Sequence, residues 1–133
     1  MSNEPKVWVV DDDEDDQYLI GSILSELIPL VKVKSLYNGG EVIANLKTTK
    51  VVPQLIILDL NMPGMSGFDI LCQVRAIPTY QEVPVIILST SLYGVDKQKA
   101  IELGATDILS KPSAFSKLFT LVQQLIIKWK VAY

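Results

Sequence analysis

Two hydrophobic rhythms alternate along the chain. Residues 6–10, Lys-Val-Trp-Val-Val, are an apolar run between polar neighbours, the pattern of a strand buried on both faces. Residues 15–28 space Leu19, Ile20, Ile23, Leu24, Leu27 and Ile28 at helical intervals, and Pro29 stops that helix. Residues 31–36 predict a second, weaker strand. Residues 39–47 predict a short helix with Val42, Ile43 and Leu46 inward, and residues 54–59 a third strand whose Leu-Ile-Ile-Leu core is buried on both faces. A third helix spans 66–77, where Ser66 and Asp69 have the capping-box spacing with Asp in place of the preferred Glu. Residues 84–89 predict a fourth strand. Residues 95–103 predict a helix ended by Gly104, and 107–110 a short fifth strand. The last helix, 113–130, sets Phe115, Leu118, Phe119, Val122, Leu125, Ile126 and Trp129 on one stripe.

Five repeats of strand then helix predict an α/β fold. Strands this apolar must be covered on both faces, which requires a parallel sheet. Right-handed crossovers then give a three-layer sandwich. In such a sheet ligands bind outside the carboxyl ends of the strands, so the residues that follow each strand matter most.

Those residues carry chemistry. The first strand ends in Asp11-Asp12, the third in Asp59-Leu-Asn61-Met-Pro-Gly64, the fourth in Ser89-Thr90 and the fifth in Lys111-Pro112. In a parallel sheet three carboxylates, a hydroxyl and a lysine therefore meet on one edge. Folding gains nothing from three acids together, because like charges repel and raise each other's pKa. A divalent cation resolves the conflict, and all-oxygen ligation by few protein groups suits Mg²⁺. A lysine and a hydroxyl facing that cation point to an anion between them, with a phosphoryl group the natural candidate. A carboxylate can attack a phosphoryl donor directly, and such transfer needs positioning and charge neutralisation more than acid–base help.

Four segments together resemble the receiver domain of two-component response regulators, of the CheY-like, single-domain kind. They are Val-Val-Asp11-Asp12-Asp13; Ile-Ile-Leu-Asp59-Leu-Asn-Met-Pro63-Gly-Met-Ser-Gly67; Val-Pro84-Val-Ile-Ile-Leu-Ser89-Thr; and Leu103-Gly104-Ala105-Thr-Asp-Ile-Leu-Ser-Lys111-Pro112. They span Val7 to about Ile127 in the family's order and spacing. The resemblance implies a flavodoxin-like (βα)5 sandwich with strand order 2-1-3-4-5. It implies that Asp59 is the phosphoacceptor and a Mg²⁺ ligand, that Asp12 binds Mg²⁺ directly, and that Asp11 acts through water. It further implies that Asn61 gives its backbone carbonyl to the metal, that Ser89 meets the phosphoryl oxygen after activation, and that Lys111 pairs with the phosphoryl group. Pro112 would follow a cis peptide. The implied partners are a histidine kinase or histidine phosphotransfer protein upstream and a protein effector downstream, reached through the face of the fourth helix, fifth strand and fifth helix. One position departs from the family: the aromatic that many receivers carry three residues before the lysine is Ile108 here, so the resemblance does not extend to an aromatic ring flip.

Composition narrows the alternatives. A length of 133 residues fits one receiver domain, 1–133, with a core of about residues 6–128 and no output domain. There is no histidine, which excludes imidazole acid–base chemistry, serine triads and a histidine phosphoacceptor. Net charge is −3, with six of the fifteen acidic residues in Asp11 to Asp16, so no basic stripe exists to bind nucleic acid. The longest apolar runs are far too short for a membrane span, and Met1 to Lys6 lacks signal-peptide character. A single cysteine, Cys72, excludes an internal disulfide, and together these features predict a cytoplasmic protein. Within the acidic run, Asp13, Glu14 and Asp15 are expected to favour the helix N-terminus rather than bind metal. An EF-hand loop is excluded by Asp16 where the turn needs Gly and by Ser22 where it needs Glu. Cys72, Trp8 and Trp129 are assigned to packing.

Three other functions are weighed against a switch. A haloacid-dehalogenase-type Mg²⁺-dependent phosphatase also uses an aspartate nucleophile, but it needs an acid two residues later, where this chain has Asn61. A degenerate receiver serving only for docking is disfavoured by intact Asp12, Asp59 and Lys111. A flavin carrier would need a hydroxyl- and glycine-rich loop after the first strand, where this chain has acids. The chain is therefore read as a self-phosphorylating switch and not an enzyme with turnover.

Overall fold

Successive side chains of a strand point to opposite faces, and here both faces are apolar, so both must be covered. The computed structural model describes residues 5–48 and 50–131. Its elements are β1 (Lys6–Val10), α1 (Glu14–Leu27), β2 (Lys32–Leu36), α2 (Gly39–Thr48), β3 (Leu55–Leu58), α3 (Gly67–Arg75), β4 (Val85–Ser89), α4 (Lys97–Glu102), β5 (Asp107–Ser110) and α5 (Phe115–Lys128). The strands pair in parallel in the order β2-β1-β3-β4-β5, as expected of a flavodoxin-like receiver fold. Val7, Val9, Leu55, Ile57, Ile86 and Leu88 face α1 and α5. Trp8, Val10, Ile56, Leu58, Val85, Ile87 and Ile108 face α2, α3 and α4. This gives three layers with the sheet in the middle.

Local chemistry sets the boundaries. Asp13 caps α1, its side chain accepting from the amides of Asp15 and Asp16. Ser66 and Asp69 form the expected capping box on α3. That helix ends at Arg75, two residues early, because Ile77 precedes a proline and takes an extended conformation; a 3-10 turn, Pro78–Tyr80, follows, which the hydrophobic pattern does not predict. Helix α4 begins at Lys97 because Asp96 is its N-cap, accepting from the Lys99 amide.

Two packing assignments are corrected. Phe115 is 51% exposed, since it opens the first turn of α5 beyond the covered layer, and it leans on Phe119 instead. Cys72 is exposed: Leu71 and Val74 take the inward positions of α3 and turn Cys72 outward. Trp8 is buried as expected, and Trp129 packs partly buried against the α1–α5 side. The opening residues Met1 to Glu4 lie outside the described residues.

Candidate functional site

The sheet ladder continues one residue beyond three strands and pins the residues that carry the charge. The Asp11 amide donates to Leu36 O at 3.0 Å, the Asp59 amide to Val10 O at 2.8 Å and the Lys111 amide to Ser89 O at 2.8 Å. Each backbone is thus fixed by its neighbour while its side chain leaves the sheet edge. Behind Asp59 the chain folds tightly back: a Cβ on Gly67 would lie 2.6 Å from Asp59 O, so only glycine lets the start of α3 approach.

The expected carboxylates converge. Asp11, Asp12 and Asp59 each offer an oxygen, all within 4.8 Å of one another. Asp11 is buried, Asp59 is 9% exposed and Asp12 is open to solvent. Burial, reinforced by the Asp11 charge, pushes the Asp59 carboxyl up to about 6, against the pull of Lys111. Burial also raises Asp11, despite its hydrogen bond from Lys111. Such a group suits a small divalent cation held by few protein oxygens, and in its absence the negative charges oppose one another.

Lys111 is in the same cluster, its side chain 5% exposed. Nζ donates to Asp11 Oδ2 at 2.7 Å and to Asp16 Oδ2 at 2.8 Å. Burial works to lower its pKa, but the hydrogen bonds to Asp11 and Asp16 outweigh this and hold it above the usual lysine value. Ser89 is fully buried; its hydroxyl accepts from Asn61 Nδ2 at 3.0 Å and donates to Ser91 O at 3.3 Å. Asn61 therefore engages the site through its side chain as well as lying beside Asp59. Ile108 is buried on the sheet face below.

The Lys111–Pro112 peptide is trans, against the expectation of a cis bond, since none of the described peptide bonds is cis. Lys111 is aimed by the hydrogen bond its amide donates to Ser89 O and by two carboxylates.

The run from Asp11 to Gln17 hides two site side chains. Asp16, to which the sequence assigns no site role, binds Lys111. Gln17 is buried, and its amide nitrogen donates to Val9 O at 2.8 Å and to Asp11 O and Leu36 O at 3.0 Å, tying α1 to the ends of β1 and β2. Gln17 had a signal: it lies three residues before Ile20 on the buried stripe of α1. Asp16 had none, because its partner is 95 residues away.

Residues 7–123 match the model of the response regulator receiver domain. This chain belongs to the receiver-domain family. It is 34% identical over 118 residues to an uncharacterized 14.6 kDa protein of Leptolyngbya boryana, covering 89% of this chain and 87% of that one. It is 33% identical over 125 residues to the transcriptional regulatory protein PrrA of Mycobacterium leprae, covering 93% of this chain but only 51% of PrrA. Among solved structures, the receiver resembles the phosphorylated cyanobacterial phytochrome response regulator RcpA, with a TM-score of 0.87 and 29% identity over 96% of this chain and 94% of that one. The Mn²⁺-bound response regulator Rcp1 gives 0.82 at 27% identity, over 94% of each chain.

Proposed function

We propose that this receiver is a signalling switch that takes a phosphoryl group on Asp59 with the help of Mg²⁺, from a histidine kinase or histidine phosphotransfer protein, and thereby switches a protein-interaction surface. The observation that carries this reading is the convergence of Asp11, Asp12 and Asp59 around a buried lysine. An Asp59 oxygen attacks phosphorus as the bond from phosphorus to the donor nitrogen breaks; that nitrogen keeps the electron pair and takes a proton. Asp12, Asp59 and the Asn61 carbonyl would hold the cation, and Asp11 would act through water. Rcp1, related to this chain, has a Mn²⁺-bound form, which supports a divalent cation here too. When bound, that cation neutralises charge on the transferring group. Lys111 offers its ammonium and Ser89 its hydroxyl to the new phosphoryl oxygens.

Asn61 is an amide engaged with Ser89, so the place of a hydrolase acid is taken, which favours a lasting acyl phosphate over turnover. Ser89 and Lys111 end β4 and β5, so α4, β5 and α5 form the face that should respond, with Ile101, Leu103 and Phe115 exposed there for a protein partner. We read residues 1–133 as one receiver domain acting in the cytoplasm; among the described residues no helix is long and apolar enough to cross a membrane. With a net charge of −3, nucleic acid is not the target.

Mass spectrometry after incubation with acetyl phosphate and Mg²⁺ tests the reading. One added phosphoryl mass should appear and should vanish with EDTA or in Asp59→Asn. Persistent labelling of Asp59→Asn would overturn the assignment.

A further inference from the structure

Lys111 is the buried cation of the site, yet its two close partners are Asp11 and Asp16, and neither is Asp59. The ammonium has three N–H donors, of which these contacts use two. Asp11 belongs to the three-carboxylate group that a cation would draw on; Asp16 lies outside it. Asp16 is the third residue of α1, with its side chain 25% exposed. Its carboxylate there keeps the favourable field of the helix N-terminus and access to water whether or not a lysine is present. Giving up Lys111 thus costs Asp16 less than it costs buried Asp11. A phosphoryl group adds nearly two negative charges and three strong acceptor oxygens beside Asp59. The spare N–H can meet one of those oxygens; a second bond requires Nζ to release a partner it already has, and Asp16 is the one that can let go.

We infer that Asp16 is a positioning residue that competes with the phosphoryl group for Lys111. This rests on the phosphoacceptor reading of Asp59. In the resting receiver Asp16 holds the ammonium against α1; in the phosphorylated one the ammonium moves to the phosphoryl oxygens and Asp16 turns to solvent. The contact joins the start of α1 to the end of β5, so its release loosens that join as the phosphoryl group is bound.

Beryllofluoride, which mimics a phosphoryl group on a carboxylate, measures the competition without chemistry. Its affinity is read by calorimetry on the full chain at saturating Mg²⁺. Asp16→Asn keeps the shape of the side chain and leaves the Asp13 cap in place, and it should bind beryllofluoride about threefold to tenfold more tightly than wild type, the range of a partly exposed charge-assisted bond. Asp15→Asn removes an equal charge from the neighbouring exposed position and should stay within twofold of wild type. Equal or weaker binding by Asp16→Asn would overturn the competition, and so would an equal gain in Asp15→Asn, which would make the effect one of general charge. If wild type takes up no beryllofluoride, the phosphoacceptor reading itself falls and the competition with it. If wild type binds and Asp16→Asn gains nothing, only the competition falls.

Discussion

The sheet carries a cation at each end, and the two are held in opposite ways. At the amino ends of β4 and β5, Arg75 is surrounded by neutral oxygens: Nε donates to Gly104 O at 2.8 Å, Nη1 to Tyr80 O at 2.7 Å and to Gln81 O at 3.3 Å, and Nη2 to Thr106 Oγ at 3.4 Å. Thr106 Oγ also accepts from the Val85 amide at 2.9 Å. Burial lowers the guanidinium pKa, but an arginine remains charged. At the carboxyl ends, Lys111 has two carboxylates at bonding distance and a third that acts on it through space. The rigid guanidinium fork matches one arrangement of backbone acceptors, so it fixes structure. The lysine is a point charge on a flexible stem, bonded to two of the three acids around it, so it can change partners. On the proposed reading, one end of the sheet is built to stay and the other to switch.

The comparison predicts its largest effect at the fixed end. Arg75→Ala would remove four hydrogen bonds from a charged donor, three of them part-buried, at a cost of about 3 kcal/mol in urea unfolding. Gly104 belongs to the same arrangement. It has φ +114°, and a Cβ there would meet Arg75 Cγ at 2.7 Å, so arginine and glycine fit only as a pair. Arg75→Ala should nonetheless bind beryllofluoride within twofold of wild type. A loss of affinity alongside the loss of stability would show that the two ends are not separable.

The second effect is at the switching end and has the opposite sign. The folded pKa of Asp59, about 6, lies above its ordinary 3.8, a difference worth about 3 kcal/mol. Between those values the folded state binds more protons than the unfolded one, so stability falls as pH rises through this window. Above about pH 6 the full penalty is present; below pH 3.8 it is gone. Asp59→Asn without metal should therefore stabilise the chain at pH 7 by roughly 1–3 kcal/mol, less than the whole penalty because the amide is also buried without full hydrogen bonding. The gain should shrink towards zero near pH 4. Urea midpoints across pH 4–8 check this, and a gain that does not depend on pH would mean that ionisation of Asp59 is not its cause.

The two ends also differ in how far the chain discloses them. The switching end is legible because a parallel sheet sends the residue after each strand to one edge, so Asp11, Asp59, Ser89 and Lys111 can be brought together from strand patterns alone. The fold is legible for the same reason: four-residue and five-residue apolar runs such as Leu55–Leu58, alternating with helical spacings, mark strands of a sheet covered on both faces. The Arg75 arrangement is not legible. Its acceptors are mostly backbone carbonyls, which every residue has, brought near by topology rather than by residue type. Asp16 is hidden at the end of a run of six acids, and only the return of β5 singles it out. Phe115 and Cys72 show the limit of periodicity, since a helical stripe does not say where the covered layer ends or which of two adjacent residues turns inward.

The smallest effect concerns Ser89, the group that the family resemblance places opposite the phosphoryl oxygen. Its hydroxyl already has partners, accepting from Asn61 Nδ2 and donating at 3.3 Å to Ser91 O. A phosphoryl oxygen would therefore gain the Ser89 proton only by replacing a long neutral bond. Exchanging one hydrogen bond for another yields little net free energy, about 1 kcal/mol when the new acceptor is charged. Ser89→Ala should accordingly weaken beryllofluoride binding by only about fivefold and leave Asp59 able to be phosphorylated. The conformational response depends on that bond more than the affinity does, because Ser89 links β4 to the loop that leads into α4, and Ile108 offers no ring to flip. Backbone amide spectra with and without beryllofluoride separate the two. In wild type, shifts should reach α4, β5 and α5; in Ser89→Ala they should contract towards Asp59 although the site is filled. Shifts of the same extent in both proteins would mean that Lys111 alone carries the change, and the partner exchange at Asp16 would then be the whole switch.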